Sequence, residues 1–299
     1  MKILKWIVLL LVVVSFHKLD AQVPQKLIFY AENTVQKKFA VDNSLQTYNI
    51  IYQNFFLIKA DSLFSPASME KAMDKTIPDK NATGLGVLDW EGYPYNVVIG
   101  YQKASDLEYQ KWLKAYIDVI KYAKFLRPKM KWSFYAMPPR TYQQYIQIKE
   151  PWPWLDKFIP LLREVDFLAP GCYLWYAGAD GIGNKFMDHY LDVYVRYSVE
   201  LGVKLNKPVY PFVWNRYSDN SKMMDKNTFY QYVYRIITTL NFGKRVDGIL
   251  WWNCEDYLYS TRAGNTYLTE EYKTITDRFA YQIQIFQTYL NAIKPLFVY

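Results

Sequence analysis

Residues 84–95 read GLGVLDWEGYPY, an apolar run closed by two acids, Asp89 and Glu91, with Trp90 between them. On a strand, residues two apart point to the same face, with Cα atoms about 6.5 to 7 Å apart. Asp89 and Glu91 therefore share one face and Trp90 takes the other. A buried strand that ends in carboxylates is what a parallel α/β architecture places beneath a site, because polar residues at the C-terminal ends of barrel strands line the mouth.

The sequence on either side fits that reading. Further strand candidates are residues 26–30, 54–58, 131–137, 165–175, 208–214 and 246–252. Between them, residues 105–128 form a clear helical segment. Ser105 and Glu108 have capping-box spacing, Trp112, Tyr116, Val119, Ala123 and Leu126 repeat on one face, and Pro128 ends the helix. A second helix is expected over 185–201, closing at Gly202, and a third over 228–240, closing at Gly243. From residue 84 onward, strand starts recur at intervals of 47, 34, 43 and 38 residues, by subtraction of the starts just given. This rhythm of βα units predicts a (β/α) TIM-type barrel, distorted, with seven or eight strands. A doubly wound open sheet is the competing layout, but no glycine-rich phosphate turn follows the first strand.

Lys2 and Lys5 precede a nine-residue apolar run over 6–14, and Ala21 offers a small residue for cleavage. That is the pattern of a signal peptide over 1–21, too short to span a membrane. Residues 22–299 then form a single catalytic domain, exported to a secreted, periplasmic or extracellular location. The net charge of +8 falls to +6 on cleavage, since Lys2, Lys5, Lys18 and Asp20 leave. The positive charges are scattered, which gives no reason to expect a nucleic acid, and no later apolar run reaches membrane-spanning length.

After the leader the chain has one histidine, His189, and two cysteines, Cys172 and Cys254. Metal sites built from Cys and His, and Ser-His-Asp or Cys-His catalysis, are poorly supplied, so neither a metal nor a cofactor is expected. Both cysteines lie in apolar strand-like segments and read as core residues in preference to a disulfide. Chemistry has to rest on carboxylates and tyrosines.

Two acids on one face lie on the same side of a substrate and cannot flank a glycosidic bond from opposite sides, as ordinary inverting and retaining pairs do. Substrate-assisted hydrolysis suits them: the sugar's own N-acetyl oxygen is the nucleophile, Glu91 protonates the leaving oxygen, and Asp89 holds the amide. Close like charges push one carboxylate's pKa upward, and the expectation is a protonated Glu91 beside an ionised Asp89.

GLGVLDWEGYPY resembles the catalytic segment of the hyaluronidase family of glycoside hydrolases. LRPKMKWSFYAMPP (126–139), FLAPGCYLWY (167–176) and GILWWNCED (248–256) are similar to later strands of that family, in the same order. The resemblance implies that Glu91 is the acid/base and Asp89 the positioning carboxylate. It implies that Tyr135 and Tyr173 hydrogen-bond the acetamido group, that Trp251 walls the pocket around the acetyl methyl, and that Glu255 is a carboxylate near the site. The implied partner is a polysaccharide, hyaluronan or a chondroitin-type chain.

The sequence also departs from that pattern. Gly92, Tyr93 and Pro94 stand where the family commonly has a segment ending in Trp-Arg-Pro, Ala169 and Phe212 replace two tyrosines, and the family's barrel cysteine pairs and C-terminal cysteine-rich module have no counterpart. Tyr93 is then a candidate substrate contact. Without the arginine, uronic carboxylates are expected to be held weakly unless Arg216 or Arg262 replaces it. Two alternatives stand beside this reading. A chitinase-like hydrolase of neutral N-acetylated glycans would require Asp at 84 and 87, where this chain has Gly84 and Val87. The other is a non-catalytic carbohydrate-binding barrel, in which the 29 tyrosines and 10 tryptophans serve packing and affinity alone.

Overall fold

The structure of the protein is a computed structural model that describes residues 25–58, 63–99, 102–139, 155–175 and 182–297. The expected leader lies outside them. Six parallel strands, β1 (Lys26–Tyr30), β2 (Gln46–Tyr52), β3 (Gly84–Asp89), β4 (Met130–Phe134), β5 (Phe212–Val213) and β6 (Gly248–Trp251), form one curled sheet in the order β4-β3-β2-β1-β6-β5. The sheet closes through residues 166–172, which are extended between its two edges. Asp166 N bonds Trp132 O on the β4 side, while Leu168 N bonds Pro208 O and Cys172 N bonds Phe212 O on the β5 side. This is the expected TIM-type barrel, with an irregular seventh stave where 165–175 was expected as a regular strand; only isolated bridges at Leu168, Ala169 and Gly171 form there.

The helices are α1 (Thr34–Asp42), α2 (Pro66–Thr76), α3 (Tyr93–Val98), α4 (Asp106–Leu126), α5 (Leu155–Glu164), α6 (Ile182–Leu205), α7 (Lys226–Thr238), α8 (Glu255–Thr261), α9 (Thr266–Tyr272) and α10 (Arg278–Ile293). Among the described residues no helix is long and apolar enough to cross a membrane. Alternation along the strands separates two cores. Ile28, Tyr30, Tyr48, Ile50, Leu85, Val87, Phe212 and Leu250 fill the barrel, and Phe29, Ile51, Leu88, Trp90, Trp132 and Trp251 meet the helices outside. Trp90 takes the outer face as expected, stacked on Tyr116 at 4.5 Å, and the Tyr116 hydroxyl donates to Trp90 O at 2.6 Å.

Three expectations are corrected. The strand expected at 54–58 is a 3-10 turn (Gln53–Phe55), and the strand is β2, eight residues earlier by the starts 54 and 46. Phe56 and Leu57 are apolar because they pack under the rim, Phe56 against Trp90 at 5.8 Å, and not because they pair in the sheet. The second helix does not stop at Gly202. A Cβ there would stand 2.6 Å from Val209 Cγ2 and 2.9 Å from Lys207 O, so this glycine permits close approach inside α6. The left-handed turn after the helix falls on Asn206, with φ of +52°. At Ser105, the side chain caps Glu108 N at 3.2 Å, but the Glu108 carboxylate does not return the bond; it accepts from the Tyr93 hydroxyl at 2.6 Å.

Candidate active site

At the C-terminal end of β3 the inward series Leu85, Val87 continues as Asp89 and then Glu91. Both enter a cavity of about 220 Å³, lined also by Ile50, Tyr135, Tyr173, Phe212, Trp214, Ser218 and Trp252. The backbone that delivers the tyrosines is constrained. Tyr135 N bonds Leu88 O at 3.0 Å, and the next residue, Ala136, holds φ of +54°, a conformation that costs a non-glycine residue about 1 to 2 kcal/mol. Gly171 gives the Tyr135 ring its space, since a Cβ there would lie 3.3 Å from both Ala136 Cβ and the Tyr135 hydroxyl.

The rings form a continuous wall. Tyr135 stacks on Tyr173 at 5.8 Å and meets Phe212 edge-on at 5.1 Å. Tyr173 stacks on Trp252 at 5.5 Å, and Trp252 meets Trp214 at 4.9 Å. The Trp252 indole donates to the Tyr52 hydroxyl at 3.3 Å, and Tyr52 is hydrogen-bonded in turn to Tyr30, which fixes the plane of the wall. Burial holds the Tyr135 and Tyr173 phenols well above their ordinary pKa, reinforced at Tyr135 by Glu91 and Asp89 and at Tyr173 by Tyr135 and Tyr48 ahead of Asp89. They remain O–H donors at any working pH.

Burial raises both acids. Asp89 is pushed up to about 8, by desolvation first and the Glu91 charge second, and Glu91 is raised by desolvation. Asp89 Oδ1 is buried with no hydrogen-bond partner. The two acids titrate as one coupled pair whose proton is retained to higher pH than an ordinary carboxyl's, because both are desolvated and each charge opposes the other. A carboxyl raised in the folded state binds more protons than its unfolded counterpart between about pH 4 and 8, so stability falls as pH rises through that window. Asp89→Asn removes the titration. It is expected to lose turnover yet melt higher than wild type at about pH 7.5, with the gap closing below about pH 4. Thermal melts across pH check this, and a parallel pH dependence in both proteins would contradict it.

Other expected site residues lie elsewhere. Trp251 is fully buried on the helix side of β6, between Phe29 and Phe229, with its indole bonded to Asn215 Oδ1 at 3.2 Å. The tryptophan in the cavity is its neighbour Trp252, because Leu250 points into the barrel and alternation carries residue 252 to the same face. Tyr93 sits at the start of α3, bonded to Glu108 and edge-on to Trp112 at 6.4 Å, and does not line the cavity. Glu255 is fully buried and committed to Arg216, at 3.0 and 2.7 Å. That pair also removes Arg216 as a grip for uronic carboxylates. Arg262 lies over the Tyr259 ring at 3.9 Å, outside the cavity lining. Cys172 and Cys254 are both free. Among the described residues no group of three His, Cys, Asp or Glu side chains is placed to hold a metal ion.

The molecule is thus a (β/α) barrel with paired acids and an aromatic wall at its C-terminal rim. Bee venom hyaluronidase has this fold: its monoclinic crystal structure matches with a TM-score of 0.61 at 16% identity, covering 90% of this chain and 100% of that one. Bee venom hyaluronidase in complex with a hyaluronic acid tetramer matches with a TM-score of 0.57 at 16% identity, covering 85% and 100%. No family model and no curated protein matches the sequence.

Proposed function

We propose that the protein is an exported glycoside hydrolase, an endo-β-N-acetylhexosaminidase that cleaves hyaluronan or chondroitin-type chains by substrate-assisted, retaining hydrolysis. One observation carries this reading: among the described residues Asp89 and Glu91 are the only acids lining the cavity, and they stand on one strand end. Among the described residues no protein nucleophile faces the sugar from the opposite side, and Glu255, which the family resemblance places near the site, is locked in a buried ion pair. The 2-acetamido group of the substrate fills that role. Its N–H donates to Asp89 and stabilises the ionised form of that carboxylate, so that the proton shared by the pair resides on Glu91. Glu91 protonates the leaving oxygen while the acetamido oxygen attacks the anomeric carbon. Asp89 then balances the positive charge on the ring that forms, and the Tyr135 and Tyr173 hydroxyls fix the acetamido group. Water opens that ring with Glu91 as base. The reaction needs neither metal nor cofactor.

A second reading, hydrolysis of neutral N-acetylated glycans, is favoured by the lack of any lysine or arginine among the described residues that line the cavity. Turnover on hyaluronan, chondroitin and chitin oligosaccharides, each beside its de-N-acetylated counterpart, tests the proposal. Cleavage of acetylated substrates alone is expected. Cleavage of the de-N-acetylated forms at a similar rate would remove the substrate's amide from the mechanism, and binding without cleavage of any glycan would leave a carbohydrate-binding barrel.

A further inference from the structure

Beside the acid-bearing cavity the barrel wall has a notch. β1 ends at Tyr30, opposite Tyr48, and the chain turns away into α1, while β2 runs on from Asn49 to Tyr52 with only β3 beside it. The gap opens into a second cavity of about 240 Å³, similar in size to the first. The two share Ile50, and the hydrogen bond from Trp252 to Tyr52 marks their boundary.

The chemistry of the notch differs from that of the acid-bearing cavity. Lys37 from α1 and Lys75 from α2 both reach it, whereas among the described residues no lysine or arginine lines the first cavity. Neither lysine makes an ion pair within 4 Å among the described residues, in contrast to Lys38 on the same helix, which pairs with Asp42 at 2.8 Å. Phe55, 48% exposed, offers an apolar face at the notch, Asn49, Tyr52 and Thr76 offer partners for hydroxyl groups, and Glu32, the one acid among the described lining residues, lies within electrostatic reach of Lys37. Aromatic faces pack against the C–H faces of sugar rings, and ammonium groups attract carboxylates without demanding one geometry.

We propose that this notch is a sugar subsite for a carboxylate-bearing unit of the chain whose N-acetylated unit occupies the Asp89–Glu91 cavity, with Lys37 and Lys75 holding the carboxylate. This rests on the hydrolase reading given above. It places acid recognition in the notch, on lysines, instead of on an arginine beside the catalytic pair. Lysine point charges near solvent are screened by salt, so the grip is salt-sensitive.

The test is the Lys37→Glu/Lys75→Glu double variant, assayed on hyaluronan and on neutral chitin oligosaccharides at low and high salt. KM for hyaluronan is expected to rise about tenfold or more, as like charges now face each other. KM and kcat for the neutral substrate should stay within about twofold, which also reports an intact fold, and the salt dependence on hyaluronan should reverse, with salt raising KM in the wild type and lowering it in the variant. Equal effects on both substrates, or none on either, would overturn the subsite. If the wild type cleaves no glycan, the hydrolase reading fails separately, and calorimetric titration of a hyaluronan tetrasaccharide decides the notch alone. Binding that the double variant loses supports it, and binding that is absent from the wild type or unchanged in the variant rejects it.

Discussion

Glu91→Gln lowers turnover by about 100- to 10,000-fold, the usual contribution of a positioned proton donor, while the fold and substrate binding persist. The substitution keeps the size and shape of a side chain that reaches the cavity mouth, where its backbone N–H bonds Gln53 Oε1 at 2.9 Å. It removes the proton placed to reach the leaving oxygen, since Asp89 lies deeper and no other acid among the described residues lines the cavity. Substrates with good leaving groups, which need less protonation, should lose less. A variant retaining more than about a tenth of wild-type activity would show that Glu91 is not the acid.

The second large effect is on stability. Arg216→Ala is expected to cost about 3 to 5 kcal/mol, because it strands two carboxylates in the protein interior. The Arg216 guanidinium is fully buried and bonds Glu255 at 3.0 and 2.7 Å, Glu271 at 2.7 and 2.6 Å and Ser221 O at 3.0 Å. Tyr272 adds a hydroxyl to Glu255 at 2.8 Å. The cluster ties the end of β5 to α8 and α9, and thereby supports Trp214 and Trp252, which precede its members by two and three residues. Arg216→Lys keeps the charge but cannot bond both carboxylates in parallel, and should fall between the two. Urea unfolding measures the series. A loss under about 1 kcal/mol for the alanine variant would mean that the cluster is dispensable.

The acids of the site were legible because they end a strand whose two-residue period is clear. Leu85, Val87, Asp89 and Glu91 share a face, and the fold obeys that count. Tyr135 and Tyr173 were legible through motif resemblance, and the cavity contains both. The doublet Trp251–Trp252 was ambiguous, since two identical neighbours give no indication of which faces inward. That choice depends on the register Phe29↔Trp251 with β1, which no local pattern carries. β2 was hidden for a different reason. Gln46 and Thr47 are exposed and Asn49 borders the notch, so QTYNIIY lacks the apolar outer face of a fully covered strand, while the apolar run just after it packs under the rim. The Arg216–Glu255 pair joins residues 39 apart on different elements, and the sequence alone has no means of pairing them.

The most direct measurement of the central claim is the configuration of the first-formed product. If the substrate's acetamido oxygen and then water displace each other at one carbon, the new reducing end appears first as the β anomer, and the α anomer accumulates only by mutarotation. Proton NMR during the first minutes of hydrolysis of a hyaluronan oligosaccharide resolves the two. The β anomer is expected first; α first would mean direct attack by water, and would contradict a mechanism built on Asp89, Glu91 and the substrate's own amide.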